Sequence, residues 1–503
     1  MVSQFDYLSK RVVYTPDQEA LFDVKTQKRF SYRELNNKAN QVANYLKKEL
    51  NFQKGDRCAI VAYNDYRYWI LFFGVQKLGG IVAGLNWRLV ANEIAQLAKD
   101  VNPKLISYDK NTESIVNGVK NVYSDTTYLN FDELFTKIDT YETADPKHPD
   151  LTYEDAIGIV FTGGTTGLPK GAMISYRQVA YNTLNTVRDI LPGDSYINHL
   201  PLFHVGGLYV YALPLFILGG RVIQMEAWNT TQYLNLINSE KPSFGFCVPT
   251  QYRMILSDQN FASTDFSTHR FLTSGGEPLS LEIIKAFKEQ HNIVFKQGFG
   301  MTEVGPGVFA LDPKDATRKI GSIGTPNFFI DAKVINSETG EECKPNEIGE
   351  LVLKGPTVTI GYWNRPEINK TLLDKDGYFH TGDLAKKDEE GYYFIVDRLK
   401  DMFISGGENV YPREIEKVLE SHPKVAQVQV IGLKDEKWGQ VGRALVVLKH
   451  GENSTEEELL TFLGDKLAKF KIPKSVVFVE GFASYISAAG KILKRKLAED
   501  YNK

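Results

Sequence analysis

The segment richest in chemical content is Thr162-Gly163-Gly164-Thr165-Thr166-Gly167-Leu168-Pro169-Lys170-Gly171. Its glycines let backbone N–H groups approach an anion closely, its threonines add hydroxyl donors, and Lys170 adds a cation. Together they suit phosphate oxygens. A Walker A loop needs glycine just before the lysine and Ser or Thr just after it, but Pro169 and Gly171 stand there. P-loop kinase or ATPase chemistry is therefore disfavoured. Thr273-Ser274-Gly275 lacks the glycine spacing of a nucleophile elbow, and the eight histidines include no zinc-like pair. Cys58, Cys247 and Cys343 are odd in number and far apart, which argues against a disulfide framework. Near the C-terminus Lys491, Lys494, Arg495 and Lys496 read, by composition alone, as a solvated charge run.

The elements that must position these residues are α/β in pattern. Ala156 to Thr162, which leads into the glycine–threonine segment, is a nearly continuous apolar run, as are Ser243 to Pro249 and Phe271 to Ser274. Such runs suit strands buried on both faces. Upstream, Ser31 and Glu34 can form a capping box ahead of Leu35, Ala39, Val42 and Leu46 on one helical face. Cys58 to Tyr63 reads as a strand, Tyr68 to Lys77 as a helix, and Ile81 to Leu85 as another strand. Alternation of this kind predicts a mostly parallel α/β body. After about residue 320 glycine, proline and charge increase, and Gly349 to Lys354 and Gly391 to Val396 read as antiparallel strands. From Lys400 onward the pattern is a small α+β unit. It has strands around Ala426 to Val430, Gly442 to Lys449 and Val476 to Val479, and a helix capped by Ser454 with Glu457 that carries Leu460, Leu463 and Leu467.

Composition excludes several classes. The chain has 59 basic and 62 acidic residues for a net charge of -3, so no domain-wide basic field points to nucleic acid. Hydrophobic content of 43% and charged content of 24% are ordinary for a globular protein. Met1 to Arg11 carries no secretory signal. The longest apolar run, Gly206 to Gly220, contains Pro214 and falls short of the ~20 residues that span a bilayer. A cytoplasmic enzyme is expected.

With further segments in order, the chain resembles the adenylate-forming superfamily of acyl-CoA synthetases, peptide-synthetase adenylation domains and luciferases over essentially its whole length. These are Pro201-Leu202-Phe203-His204-Val205-Gly206-Gly207, Gln297-Gly298-Phe299-Gly300-Met301-Thr302-Glu303, Tyr378-Phe379-His380-Thr381-Gly382-Asp383, Asp397-Arg398-Leu399-Lys400-Asp401 running into Gly406-Gly407-Glu408, and Gly490-Lys491-Ile492-Leu493-Lys494-Arg495. The resemblance implies a large multi-sheet N-terminal body, residues 1–398, and a mobile C-terminal lid domain, residues 399–503, hinged near Lys400. It implies an ATP-dependent carboxylic acid:CoA ligase acting through an acyl-adenylate, with ATP, Mg2+ and coenzyme A as cofactors. In that reading Thr162 through Lys170 bind phosphate, and Gly275-Gly276-Glu277 with Gly298, Phe299, Gly300 and Met301 line the adenine and acyl pockets, Phe299 stacking on adenine.

The same resemblance gives Thr302 a phosphate contact and makes Glu303 the metal ligand. Asp383 accepts from the ribose hydroxyls, and Arg398 helps to hold ribose or phosphate. His204 gates the acyl pocket, and Gly406 and Gly407 help form the pantetheine channel. Lys491 bridges substrate carboxylate and α-phosphate. Relatives often have Thr-x-Ser-Gly-Lys before that lysine, whereas Ser487-Ala488-Ala489-Gly490 stands here. Acetate-using relatives close the pocket with tryptophan where this chain has Gly300, which implies a longer or wider acid, and the resemblance to bacterial fatty acyl-CoA synthetases implies a medium- to long-chain fatty acid. An aryl-CoA ligase of coumarate or benzoate type, a ligase loading a separate carrier protein, and a luciferase-type oxygenase remain alternatives. A homodimer and peripheral membrane contact stay open.

Overall fold

A strand–helix alternation with few polar interruptions builds the first of two compact units, which holds residues up to 331 together with 354–379. The computed structural model describes residues 3–162, 169–405, 408–464, 466–486 and 492–501. One six-stranded sheet runs in the order Thr127–Asn130, Leu105–Tyr108, Arg57–Val61, Ile81–Gly84, Ala156–Thr162, Lys170–Ser175. Its first five strands are parallel and the last pair is antiparallel. Cys58 to Val61 and Ile157 to Val160 are buried, as the apolar runs predict for strands covered on both faces.

The helix Tyr32–Glu49 begins on the expected Ser31–Glu34 capping box, and Leu35, Ala39, Val42 and Leu46 face the core. Every residue of the helix Tyr66–Lys77 except Arg67 is buried, so it is a core helix with little polar face. Its last residue, Lys77, is fully buried and is matched by Asp6 Oδ2 at 2.7 Å and Ser9 Oγ at 2.8 Å.

A second sheet of this unit runs Gly245–Cys247, Leu272–Gly275, Phe295–Met301, Gly305–Leu311, Thr325–Pro326. Its first three strands are parallel and the rest antiparallel. The apolar run from Ser243 is strand only over Gly245–Cys247, because Pro249 starts the helix Pro249–Ser257. A third sheet orders Lys28–Ser31, Glu19–Asp23, Arg221–Gln224, Ser195–Asn198.

The second compact unit holds residues 332–353 and those from 380 onward. Its four-stranded sheet runs Asp331–Ile335, Gly349–Lys354, Phe379–Lys387, Tyr393–Arg398. The other sheet orders Glu408–Val410, Phe403–Ser405, Gly439–Leu448 and Val425–Asp435, with Ser475–Phe478 beside Gly439–Leu448. Helices Pro412–Glu420 and Glu456–Gly464 cover it with Ile415, Leu419, Leu459 and Leu463. The cap of the latter helix lies one residue later than expected. Thr455 Oγ1 accepts from Glu458 N, while Ser454 Oγ bonds the Glu458 carboxylate.

Candidate active site

The glycine–threonine segment joins two antiparallel neighbours. Thr162 ends one strand, Lys170 opens the next, and the two residues pair directly across the ladder. Thr162 Oγ1 also donates to the Lys170 carbonyl at 3.4 Å. Gly163, Gly164, Thr165, Thr166 and Gly167 lie outside the described residues, as do Gly406, Gly407 and Lys491.

The chain from Gly361 to Trp363 lies along the strand Lys170–Ser175. Met173 N donates to the Gly361 carbonyl at 2.9 Å and Trp363 N to the Gly171 carbonyl at 2.7 Å. This places Tyr362 beside Lys170, whose Nζ sits 5.3 Å from the centre of its ring. The phenol hydroxyl donates to Glu303 Oε1 at 3.1 Å. Burial, reinforced by the Glu303 charge, pushes the Tyr362 phenol well above its ordinary range, so it stays a donor. The backbone around Glu303 is pinned too: Thr359 N donates to the Glu303 carbonyl at 2.7 Å and Thr357 Oγ1 to the Val304 carbonyl at 2.7 Å. Thr302 and Glu303 are both buried. Among the described residues no cationic side chain pairs with the Glu303 carboxylate.

Phe299, Gly300 and Met301 finish the strand that leads into Thr302 and Glu303, and Gly298 on the same strand pairs with Gly275. Gly276 has φ +88°, a left-handed turn that favours glycine, and Glu277 after it is exposed. The Phe299 ring packs edge-on against Phe309 at 5.8 Å. A Cβ on Gly300 would lie 2.1 Å from the Pro306 carbonyl oxygen, so the hairpin backbone itself occupies that space.

His204 is half-buried, and its Nδ1 accepts from Gly206 N at 3.1 Å. The chain then makes a π-helical turn over Gly206–Val210. Widened turns of this kind leave carbonyls to be met by other groups. Here Asn198 Nδ2 donates to the Gly207 carbonyl at 3.0 Å and Asn182 Nδ2 to the Tyr209 carbonyl at 2.8 Å.

In the second unit Asp383 and Arg398 are cross-strand partners, with Arg398 Nε 2.7 Å from Asp383 Oδ1. Asp383 is buried, its N–H donates to Thr381 Oγ1, and Gly382 N donates to Glu350 Oε1 at 3.0 Å. Two residues here have partners that the sequence reading did not foresee. Asp397 accepts from the N–H groups of Arg398 and Arg413, and burial raises its carboxyl against the pull of Lys494. Lys494 is no solvated charge: it pairs at 2.6 Å with the buried carboxylate of Glu416. Tyr362 escaped as well, since an aromatic pair such as Tyr362-Trp363 reads as ordinary core.

The family model described as AMP-binding enzyme matches residues 8–363, and the AMP-binding enzyme C-terminal domain matches residues 414–489. A feruloyl-CoA synthase of Amycolatopsis sp is 36% identical over 469 residues, covering 92% of each chain. A long-chain-fatty-acid–CoA ligase of Mycobacterium tuberculosis is 34% identical over 502 residues, covering 98% of each. Among solved structures, ATP-bound MatB from Rhodopseudomonas palustris superposes with a TM-score of 0.91 at 31% identity, covering 99% of both chains.

Proposed function

The chain belongs to the AMP-binding enzyme family, and from that membership we propose that it joins a carboxylic acid to coenzyme A, using ATP, through an acyl-adenylate. A carboxylate is a poor electrophile. Its oxygen attacks the α-phosphorus of ATP, a P–O bond forms, and pyrophosphate leaves with the electron pair of the broken bond. The thiol of coenzyme A then attacks the acyl carbon, AMP leaves, and the thiol proton is released. Both partners of the first step are anionic, so fixed donors and cations must offset their repulsion.

One observation carries the reading: Tyr362 brings together a phosphate-loop cation, Lys170, and a buried carboxylate, Glu303, that pairs with no cation among the described residues. A buried, uncompensated carboxylate is costly unless a cation completes it, which fits a magnesium ion. Among the described residues no cluster of three or more His, Cys, Asp or Glu could hold a metal by itself. Magnesium is often held by one carboxylate plus phosphates and waters. When bound, the ion neutralises charge on the phosphates. Glu303 holds it, Thr302 and the Thr162–Lys170 segment bind phosphate, and Phe299 stacks on adenine over Gly275, Gly276 and Gly298. Asp383, oriented by Arg398, accepts from the ribose hydroxyls, and Lys491 bridges carboxylate and α-phosphate. The domain from residue 399 alternates about Lys400 between half-reactions, so Lys400→Pro, which fixes φ, should slow one half-reaction more than the other.

The acid is larger than acetate. A medium- to long-chain fatty acid is supported by the 34% identity to a long-chain-fatty-acid–CoA ligase over nearly the whole chain. An aryl acid is the second reading, favoured by the 36% identity to a feruloyl-CoA synthase. The reaction is assigned to the cytoplasm, where ATP and coenzyme A meet. Among the described residues no helix is long and apolar enough to cross a membrane.

The deciding experiment measures pyrophosphate release with ATP and magnesium over acetate, octanoate, palmitate, benzoate and coumarate, with and without coenzyme A. Turnover that needs coenzyme A and yields a thioester supports the ligase. Release that ignores coenzyme A points to a carrier protein, and oxygen-dependent product formation points to a luciferase-type oxygenase. Silence across the panel would overturn the proposal.

A further inference from the structure

The last helix, Lys494–Asp500, starts against its own electrostatics. Lys494, Arg495 and Lys496 fill its first turn, no acidic residue stands there, and Leu493 at the N-cap offers no side-chain acceptor. A helix N-terminus favours anions and a capping oxygen instead. With only 7 residues, the helix is also too short to hold itself. Where it begins is therefore set by what it touches.

Three kinds of contact do this. Leu497 is buried with Ile431, Leu433 and Leu445. Leu493 N donates to the Tyr485 carbonyl at 2.8 Å, and Ile486 and Ile492 form an antiparallel bridge. The third contact is ionic: Lys494 Nζ lies 2.6 Å from Glu416 Oε1, with the side chains 15% and 2% exposed. Glu416 is itself a fixed post. Its Oε1 accepts from Val430 N at 2.9 Å and its Oε2 from Arg413 Nη1 at 3.4 Å. Arg413 N donates in turn to Asp397 Oδ2 at 2.8 Å, and Asp397 Oδ1 accepts from Arg398 N. The whole chain of contacts lies within the second compact unit.

An ion pair this buried is weak evidence of added stability, because an apolar pair of the same shape often holds a fold as well. What the charge adds is direction. The ammonium has to meet one oxygen of a carboxylate already held by Val430 and Arg413, which fixes the helix start both along and about its axis. Lys491 stands three residues before Lys494. The ion pair thus fixes the point from which the chain leads back to that lysine.

We infer that Lys494 is a positioning residue for acyl-adenylate formation: held by Glu416, it sets where Lys491 is presented. This rests on the ligase reading, in which Lys491 bridges the acid carboxylate and the α-phosphate, and adds a residue that acts through it. Lys491 serves only the first half-reaction. A misplaced helix start therefore slows attack on the α-phosphorus and spares attack of the coenzyme A thiol on a finished adenylate. Loss of the domain's fold slows both.

The test measures the two half-reactions apart in the full chain, with whichever of acetate, octanoate, palmitate, benzoate and coumarate wild type turns over fastest. One assay follows pyrophosphate release with ATP and magnesium, the other thioester formation from the supplied acyl-adenylate and coenzyme A. Lys494→Met should lower kcat of the first about tenfold or more, the cost of a misplaced group. The KM for ATP and the second half-reaction should stay within about twofold of wild type. Lys494→Arg keeps the charge and should recover to within about threefold. Glu416→Gln keeps an acceptor for Val430 N and should show the same split, so it decides if Lys494→Met misfolds. The double variant should fall no further than the slower single, because both remove one bond. Equal losses in the two half-reactions, an unchanged first half-reaction, or no recovery in Lys494→Arg overturns the inference and leaves the ligase standing. No pyrophosphate from any acid with wild type overturns the ligase reading and this inference together.

Discussion

Two buried carboxylates, one in each compact unit, are held in opposite ways. Glu303 in the first unit receives a neutral phenol, Tyr362, whereas Asp383 in the second receives the guanidinium of Arg398. They are almost equally shielded from water, at 7% and 3% exposure. Burial thus says little about what a carboxylate does, and the partner says more. A guanidinium offsets the charge and fixes the orientation, leaving an aligned acceptor. A phenol fixes orientation but leaves the charge for an incoming cation.

The sharpest break of that comparison is Glu303→Gln, which keeps shape and removes charge. A fall in kcat/KM for pyrophosphate release of about 10²–10³ is expected. The melting temperature should hold or rise, because an uncompensated charge has gone. Activity within threefold of wild type would dissolve the distinction.

Next in size is acid. The first unit buries His199 and His269, and burial pulls their rings down from about 6.5 to about 4 and about 3. The unfolded chain binds these protons more readily, so stability rises with pH across the window. It is fully present above about 6.5 and is lost as pH falls toward 4 and then 3. His199 alone should account for about 2 kcal/mol between pH 7 and pH 5. Urea melts of wild type and His199→Gln at the two values read this, and an equal loss in both proteins would refute it.

Asp383→Asn comes third, raising the KM for ATP about tenfold, the worth of a hydrogen bond to a charged acceptor. The half-exposed Arg398 side chain can rehydrate, so stability should change little. Smallest is Tyr362→Phe. Its bond to Glu303, at 3.1 Å, is long for O–H···O. About a fivefold rise in the magnesium concentration for half-maximal rate is expected, with a matching weakening of magnesium–ATP binding by calorimetry. An unchanged magnesium requirement would leave Tyr362 a packing residue only.

Legibility in the sequence follows how local each signal is. The Ser31–Glu34 capping box needs three residues' spacing, and the strand Ala156–Thr162 needs one apolar run, so both were readable with their bounds. The glycine–threonine segment was readable because its composition is unusual. The cap at Thr455 was misplaced by one residue, since Ser454 and Thr455 offer the same hydroxyl and only the helix start decides between them. Tyr362 meets Glu303 across 59 residues, and Lys494 meets Glu416 across 78, so no short window contains either pair. Gln178 and Asn182 look like the polar stripe of a surface helix. Their burial is a property of what packs over them.

The hairpin carbonyl that fills the space above Gly300 also bears on how this protein can change over generations. A position blocked by main chain cannot drift one side chain at a time, because every replacement asks the Gly305–Leu311 strand to move with it. Altered appetites in descendants, or in a laboratory library, should therefore arise where a side chain is bounded by other side chains rather than by main chain.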